Sequence, residues 1–143
     1  NQKVKREKPV KENSLPKNLI LKNRNEIADT LKRGKRFDCG SIRIILLPNP
    51  ELKKFKVAFL VSKRLGRESV LRNKIKRWFR EIFRLNKKYF PDQVQIIMTS
   101  QKKYTELDFS SLTNDFLEVV RSEKFTDFLN QNLSKTDISL QNE

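Results

Sequence analysis

Histidine is absent from this chain of 143 residues, and cysteine occurs once, at Cys39. Without histidine the commonest general base is missing, and with it every Ser-His or Cys-His nucleophile pair. A single thiol excludes an internal disulfide framework and a His/Cys zinc cluster, so Cys39 is read as a small structural side chain. No residue is therefore assigned as catalytic or as a metal ligand. Long apolar runs are missing too: the longest, Ile44 to Leu47 and Val57 to Val61, have the length of strands, not of a membrane span. The opening stretch NQKVKREKPVKENSLPKN lacks the apolar segment of a secretory signal, and a cytoplasmic protein with no membrane partner is expected. No repeat of fixed period is visible.

What the chain has in excess is positive charge. It carries 32 Lys and Arg against 17 Asp and Glu, a formal +15 with a pI near 10.2. The excess is uneven: residues 1 to 103 sum to +20 and residues 104 to 143 to −5. A polyanion, and nucleic acid first among them, is the partner such a field attracts.

The densest stretch is Leu71 to Lys88, LRNKIKRWFREIFRLNKK, with eight basic residues and one acid, Glu81. Wound as a helix at roughly 100° per residue, it gathers Leu71, Ile75, Trp78, Phe79, Ile82 and Leu85 in one stripe, with Phe83 at the margin. Asn73, Lys76, Arg77, Arg80, Arg84 and Lys87 fall opposite. Like charges at i,i+4, such as Arg72 with Lys76 and Lys76 with Arg80, cost helix stability, so a one-signed face needs an anionic partner to explain it.

Length allows one domain with tails. Residues 1–18 mix charge and proline with few apolar groups and are expected to be a disordered basic arm. The domain proper is expected over 19–123, and 124–143 as a C-terminal extension, partly helical and then frayed. Asn23, with Glu26 three residues on, caps a first helix that Gly34 ends. Ser41 to Leu47 and Phe55 to Val61 read as strands joined in a hairpin through Pro48-Asn49-Pro50. The basic loop Ser62 to Arg67 leads to the long helix, with Glu68 and Ser69 at its amino end; Val94 to Thr99 is a third strand. Asp108 caps a helix from Phe109 to about Arg121. The expected fold is α/β, an α-β-β-α-β-α sandwich around one central sheet whose second face is partly open.

The motif Val61-Ser62-Lys63-Arg64-Leu65-Gly66, followed by Arg72-Asn73-Lys74-Ile75-Lys76-Arg77-Trp78-Phe79-Arg80-Glu81, closely resembles the bacterial ribonuclease P protein subunit. In that family a strand ending S-K-K/R-x-G leads into a helix bearing R-N-R-x-K-R-x-x-R-E. The resemblance begins at the Leu21 to Gly34 helix and the Gly34-Lys35-Arg36-Phe37 turn and covers about 100 residues. It implies a left-handed βαβ crossover, against the usual hand. It also implies a catalytic RNA subunit that cleaves precursor tRNA with bound Mg²⁺, one protein per RNA, and no cofactor held by the protein's own side chains. On that basis Arg72, Asn73, Lys74, Lys76, Arg77 and Arg80, with Lys63 and Arg64, bind the catalytic RNA. Ile27, Leu31, Lys35, Arg36, Phe37, Ile42 and Phe59 line a cleft for the single-stranded 5′ leader.

Three departures matter. Lys74 stands where the family usually has Arg, and the planar fork is lost. One extra residue between Gly66 and Arg72 requires the loop to bulge. Ile27, Leu31 and Ile42 replace aromatics, which shifts leader contacts from stacking toward apolar packing and charge. Phe37 suits a core anchor or a stacking platform equally, whereas Trp78 and Phe79 belong to the core stripe. A structural RNA-binding protein of ribosomal type would use the same cations without turnover. A self-sufficient nuclease is disfavoured by the missing histidines and the lack of a compact acidic cluster.

With about six phosphates neutralised, RNA affinity should fall roughly a thousandfold between about 50 and 200 mM salt. A filter-binding titration giving a nearly flat salt response would contradict a phosphate-gripping helix.

Overall fold

The computed structural model describes residues 15–132. Most of the expected basic arm and the end of the expected C-terminal extension lie outside that range. The elements are α1 (Arg24–Arg33), β1 (Lys35–Cys39), β2 (Ile42–Pro48), β3 (Lys56–Phe59), α2 (Ser69–Leu85), β4 (Val94–Ser100), α3 (Phe109–Val120) and α4 (Glu123–Asn132). The caps stand as expected: the Asn23 side chain accepts from the Glu26 amide, and Asp108 from the Ser111 amide.

Four strands form one mixed sheet in the order β1-β2-β4-β3. Here the expected hairpin fails. β2 and β3 are not neighbours, because β4 lies between them, antiparallel to β2 and parallel to β3. The hairpin is instead β1 with β2, and β1 was not anticipated as a strand at all. Its sequence, Lys-Arg-Phe-Asp-Cys, buries only Phe37, a pattern suited to an outer strand rather than to an interior one. Gly40 makes the turn with φ +53°, and an added Cβ would meet the Asp115 carboxylate at 2.4 Å. Asp115 there accepts from the Ser41 amide at 2.9 Å and its hydroxyl at 2.8 Å, tying the turn to α3.

Alternation along each strand sorts the two faces. Ile42, Ile44, Leu46, Val57, Phe59, Val94, Ile96 and Met98 point into the main core, closed by Ile75, Phe79, Ile82 and Phe83 of α2, the inner side of α3, and Phe125 of α4. Ile45, Ala58 and Ile97 point the other way, meeting Leu21 and, at the margin, Ile27 and Leu60. α1 thus rests on the thinner side. Because β3 and β4 run parallel, α2 is the crossover joining them and lies on the core face. The far edge of β3 is covered by a bridge from Ile20 to Val57, where the Leu21 amide donates to the Val57 carbonyl at 2.8 Å. β1 forms the opposite edge.

The segment after residue 123 contributes to this core. Phe125 is 1% exposed, edge-on to Phe37 at 5.2 Å and to Phe90 at 5.7 Å. Phe125→Ala should reduce the unfolding free energy by about 3–5 kcal/mol in chemical denaturation. A loss under about 1 kcal/mol would show that α4 is an appendage and not part of the folded unit.

Candidate nucleic-acid interface

α2 buries Ile75, Phe79, Ile82 and Phe83, with Leu71 and Trp78 half-buried. Two positions depart from the expected stripe. Phe83, assigned to the margin, is fully buried among Phe55, Phe59 and Phe90, at ring separations of 5.5, 5.9 and 4.8 Å. Leu85, assigned to the stripe, is 48% exposed. The aromatic cluster rolls the helix toward β3, lifting its last turn's other flank into solvent.

That roll decides how the cations stand. Asn73, Lys74, Lys76, Arg77 and Arg80 are exposed, and Arg72 is half-buried, its Nε enclosed without a hydrogen-bond partner. Among the described residues none of these basic side chains is ion-paired to a carboxylate: Glu81, the one acid in the segment, is held by Arg84 at 2.6 Å. Two of them lie over aromatic rings. The Lys74 ammonium lies 5.0 Å from the Trp78 ring centre and the Arg80 guanidinium 5.6 Å from that of Phe59, which orients both stems while leaving the charge uncompensated. The helix therefore presents ordered donors with no internal anion to neutralise them.

Lys63 and Arg64 are exposed on a short 3₁₀ turn, Lys63–Leu65, that the Ser62 hydroxyl opens by accepting from the Arg64 amide at 3.0 Å. Gly66 ends this turn against Tyr104; a Cβ there would come within 2.5 Å of the ring. Tyr104 is almost wholly buried, and burial pushes its phenol pKa up. Residues 66–68 are without regular structure, and α2 begins at Ser69.

The second proposed surface needs correction. Ile27 and Leu31 sit on α1 beside the thin side of the sheet, half-buried and 36% exposed respectively. Lys35 and Arg36 are exposed on β1. Phe37, Ile42 and Phe59, however, face the main core. Phe37 is clamped by Phe125 and by Phe128 at 5.7 Å, Ile42 is fully buried, and Phe59 packs on Phe83. Three side chains on the far side of the sheet from α1 cannot line a cleft beneath it. The positions that share α1's face are Arg43 and Ile45 on β2, Leu60 just beyond β3, and Ile97 and Thr99 on β4. A period-2 count along Ile-Arg-Ile-Ile would have found Arg43, the one charged residue in an apolar strand.

Arg43 forks onto Asp38, Nε to Oδ1 at 2.8 Å and Nη2 to Oδ2 at 3.0 Å, and its Nη2 also donates to the Gln101 side chain at 2.9 Å. The hydrogen bond from Arg43 holds the Asp38 carboxyl below the ordinary carboxylate range, against a smaller opposing effect of burial. The ledge between α1 and the sheet is thus lined by Ile27, Leu31, Leu60 and Thr99, with Ile45 buried at its back, and is closed at one end by an internally balanced pair.

The ribonuclease P family model matches residues 15–124. The chain belongs to the ribonuclease P protein family. It is 30% identical over 105 residues to the ribonuclease P protein component of Petrotoga mobilis, covering 71% of this chain and 87% of that one. To the component from Desulfovibrio desulfuricans it is 29% identical over 111 residues, with 75% and 84% covered. Among solved structures, the Staphylococcus aureus RNase P protein superposes with a TM-score of 0.64 at 26% identity, over 72% of this chain and 93% of that one. The Thermotoga maritima RNase P protein gives 0.60 at 28% identity, over 73% and 97%. As a member of this family the chain is the protein component of a ribonuclease complex that has an RNA subunit. No helix of the described residues is long and apolar enough to cross a membrane.

The Asp38 pair has a checkable pH signature. Because the folded pKa is lowered, its contribution to stability is complete above the ordinary carboxylate pKa and is lost as pH falls through the lowered folded value. In Arg43→Gln, NMR titration should find Asp38 moved up toward the ordinary range; an unchanged midpoint would mean that Arg43 does not set it.

Proposed function

We propose that this chain assists a ribozyme: it docks on the catalytic RNA of ribonuclease P through α2 and holds the 5′ leader of precursor tRNA on the ledge under α1, promoting endonucleolytic removal of that leader. The observation that carries this is the row Arg72, Lys76, Arg77 and Arg80, with Lys74 and Asn73 beside it, on a helix face that none of the described carboxylates neutralises. Guanidinium groups on a rigid helix match phosphate oxygens bidentately, and an internal counterion would have made them useless for that purpose. Lys63 and Arg64, one turn upstream, extend the same footprint.

The protein's part in the reaction is electrostatic and positional. Bringing a substrate polyanion onto an RNA polyanion is opposed by phosphate repulsion, which the α2 cations screen, while the ledge fixes the leader and hence the bond to be cut. Mg²⁺ bound by the RNA supplies the hydrolytic chemistry. Among the described residues no group of three or more acidic, His or Cys side chains stands together to hold a metal. The residues assigned to the leader are Ile27, Leu31 and Arg36 from the sequence, with Leu60 and Thr99 in place of Phe37, Ile42 and Phe59. Lys35 shares the core-side face of β1 with Phe37 and would meet RNA only at the rim.

Reconstitution tests the proposal. Precursor tRNA at low Mg²⁺ is offered catalytic RNA alone, protein alone, and both; stimulation is expected only in the mixture. Arg77→Ala should bind the catalytic RNA roughly tenfold more weakly and lower the salt slope by about 1, with Lys124→Ala as an unaffected control. Binding without stimulation would leave a purely structural RNA-binding role, and cleavage by protein alone would place the chemistry on this chain.

A further inference from the structure

α1 is fastened to the sheet in an unusual way. Its one fully buried residue is polar, Thr30, and so is the residue it meets on β4, Gln95, which is 4% exposed. Gln95 Nε2 donates to the Thr30 hydroxyl at 2.8 Å, and that hydroxyl donates on to the Glu26 carbonyl at 2.7 Å. On its other side Gln95 Oε1 accepts from Asn49 Nδ2 at 2.7 Å, and Asn49 Oδ1 accepts from the Glu51 amide at 3.1 Å. The chain of bonds runs in one direction from the turn after β2, through β4, into the middle of α1. Every link uses a donor against an acceptor.

Two methyl-bearing side chains would have filled the same space. Apolar contacts slide at little cost, whereas a directional pair whose partners are removed from water tolerates few positions. The rest of α1's footing is thin, a handful of apolar side chains around Ile45 and Ile97 with Ile27 at the edge. Thr30 also lies between the two α1 residues that face the ledge, three positions after Ile27 and one before Leu31, so whatever fixes Thr30 fixes their height over Ile45 and Thr99.

We propose that Gln95 is a positioning residue for leader recognition: its bond to Thr30 sets the height of α1 above the sheet, and so the width of the ledge that takes a single RNA strand. This rests on the assignment of that ledge to the leader. Gln95 itself touches no RNA; it acts through α1.

The experiment compares reconstituted holoenzymes made with the native protein, Gln95→Leu, and the double variant Thr30→Val with Gln95→Leu. The single variant leaves a buried hydroxyl facing a methyl group, whereas the double variant replaces the Thr30–Gln95 pair with apolar shapes, leaves only the half-buried Asn49 amide to turn to water, and is expected to recover most of the native thermal stability. Affinity is read for precursor tRNA with a long leader and with a minimal one, together with protein affinity for the catalytic RNA. The proposal expects the native protein's advantage for the long leader to fall about tenfold in both variants, including the one whose stability is restored, with catalytic RNA affinity unchanged. If the double variant regains the native leader advantage along with its stability, Gln95 is a packing residue and the proposal is overturned. If the native protein shows no leader advantage at all, the ledge assignment falls first and this inference with it.

Discussion

The fold depends on pressing one flank of α2 against the β3–β4 side of the sheet. Ile75, Phe79, Ile82 and Phe83 are all at or near zero exposure, and burial of such side chains contributes roughly 1.5–3 kcal/mol each. The opposing cost is repulsion along the outer flank, where Arg72, Lys76 and Arg80 succeed one another at i,i+4 and each like-charged pair costs about 0.2–0.5 kcal/mol. The ratio is several to one. A helix that would be poorly stable alone is therefore held straight by its neighbours, and its cations keep their spacing before any RNA arrives.

The strand order gives that helix its place. Since β3 and β4 are parallel neighbours, the connection between them has to pass back over one face of the sheet, and it does so on the side where Ile44, Ile96 and Phe59 point. α1 arrives from the other direction and takes the thinner side. The two surfaces assigned to RNA are thereby separated by the thickness of a sheet, with the Lys63–Leu65 turn leading from β3 into α2. Rigid strands connect the two surfaces, so the spacing between them is set by the protein's own framework.

Much of this was legible in the residues. The long helix, its charged side, the caps at Asn23 and Asp108, and the strands around Ile44, Val57 and Ile96 all follow from local periodicity and side-chain chemistry, which act over a few residues. What failed depended on partners distant in sequence. Phe55 and Phe90 pull Phe83 inward and leave Leu85 out, and neither lies near α2's own pattern. β1 carries three charges in five residues and becomes a strand because β2 offers it an unpaired edge. Phe37 suited a core anchor and a stacking platform equally while its partners were unplaced; Phe125 and Phe128 decide for the core. Assigning Ile42 and Phe59 to the ledge went wrong on parity, since every second residue of a strand changes side.

The sheet's two margins are treated differently. β3's is sealed by the chain itself, through the bridge at Ile20, whereas β1 has no strand beyond it among the described residues and carries Lys35, Arg36 and Asp38 along its length. A second molecule adding its own strand there would have to strip water from alternating cations and an anion, and would gain little apolar contact in return. A protein this basic is crowded onto polyanions at high local concentration, where self-association through an open strand would be easiest. The charges on β1 make that edge a poor template for a second copy, even where the protein's positive charge draws copies together on one polyanion.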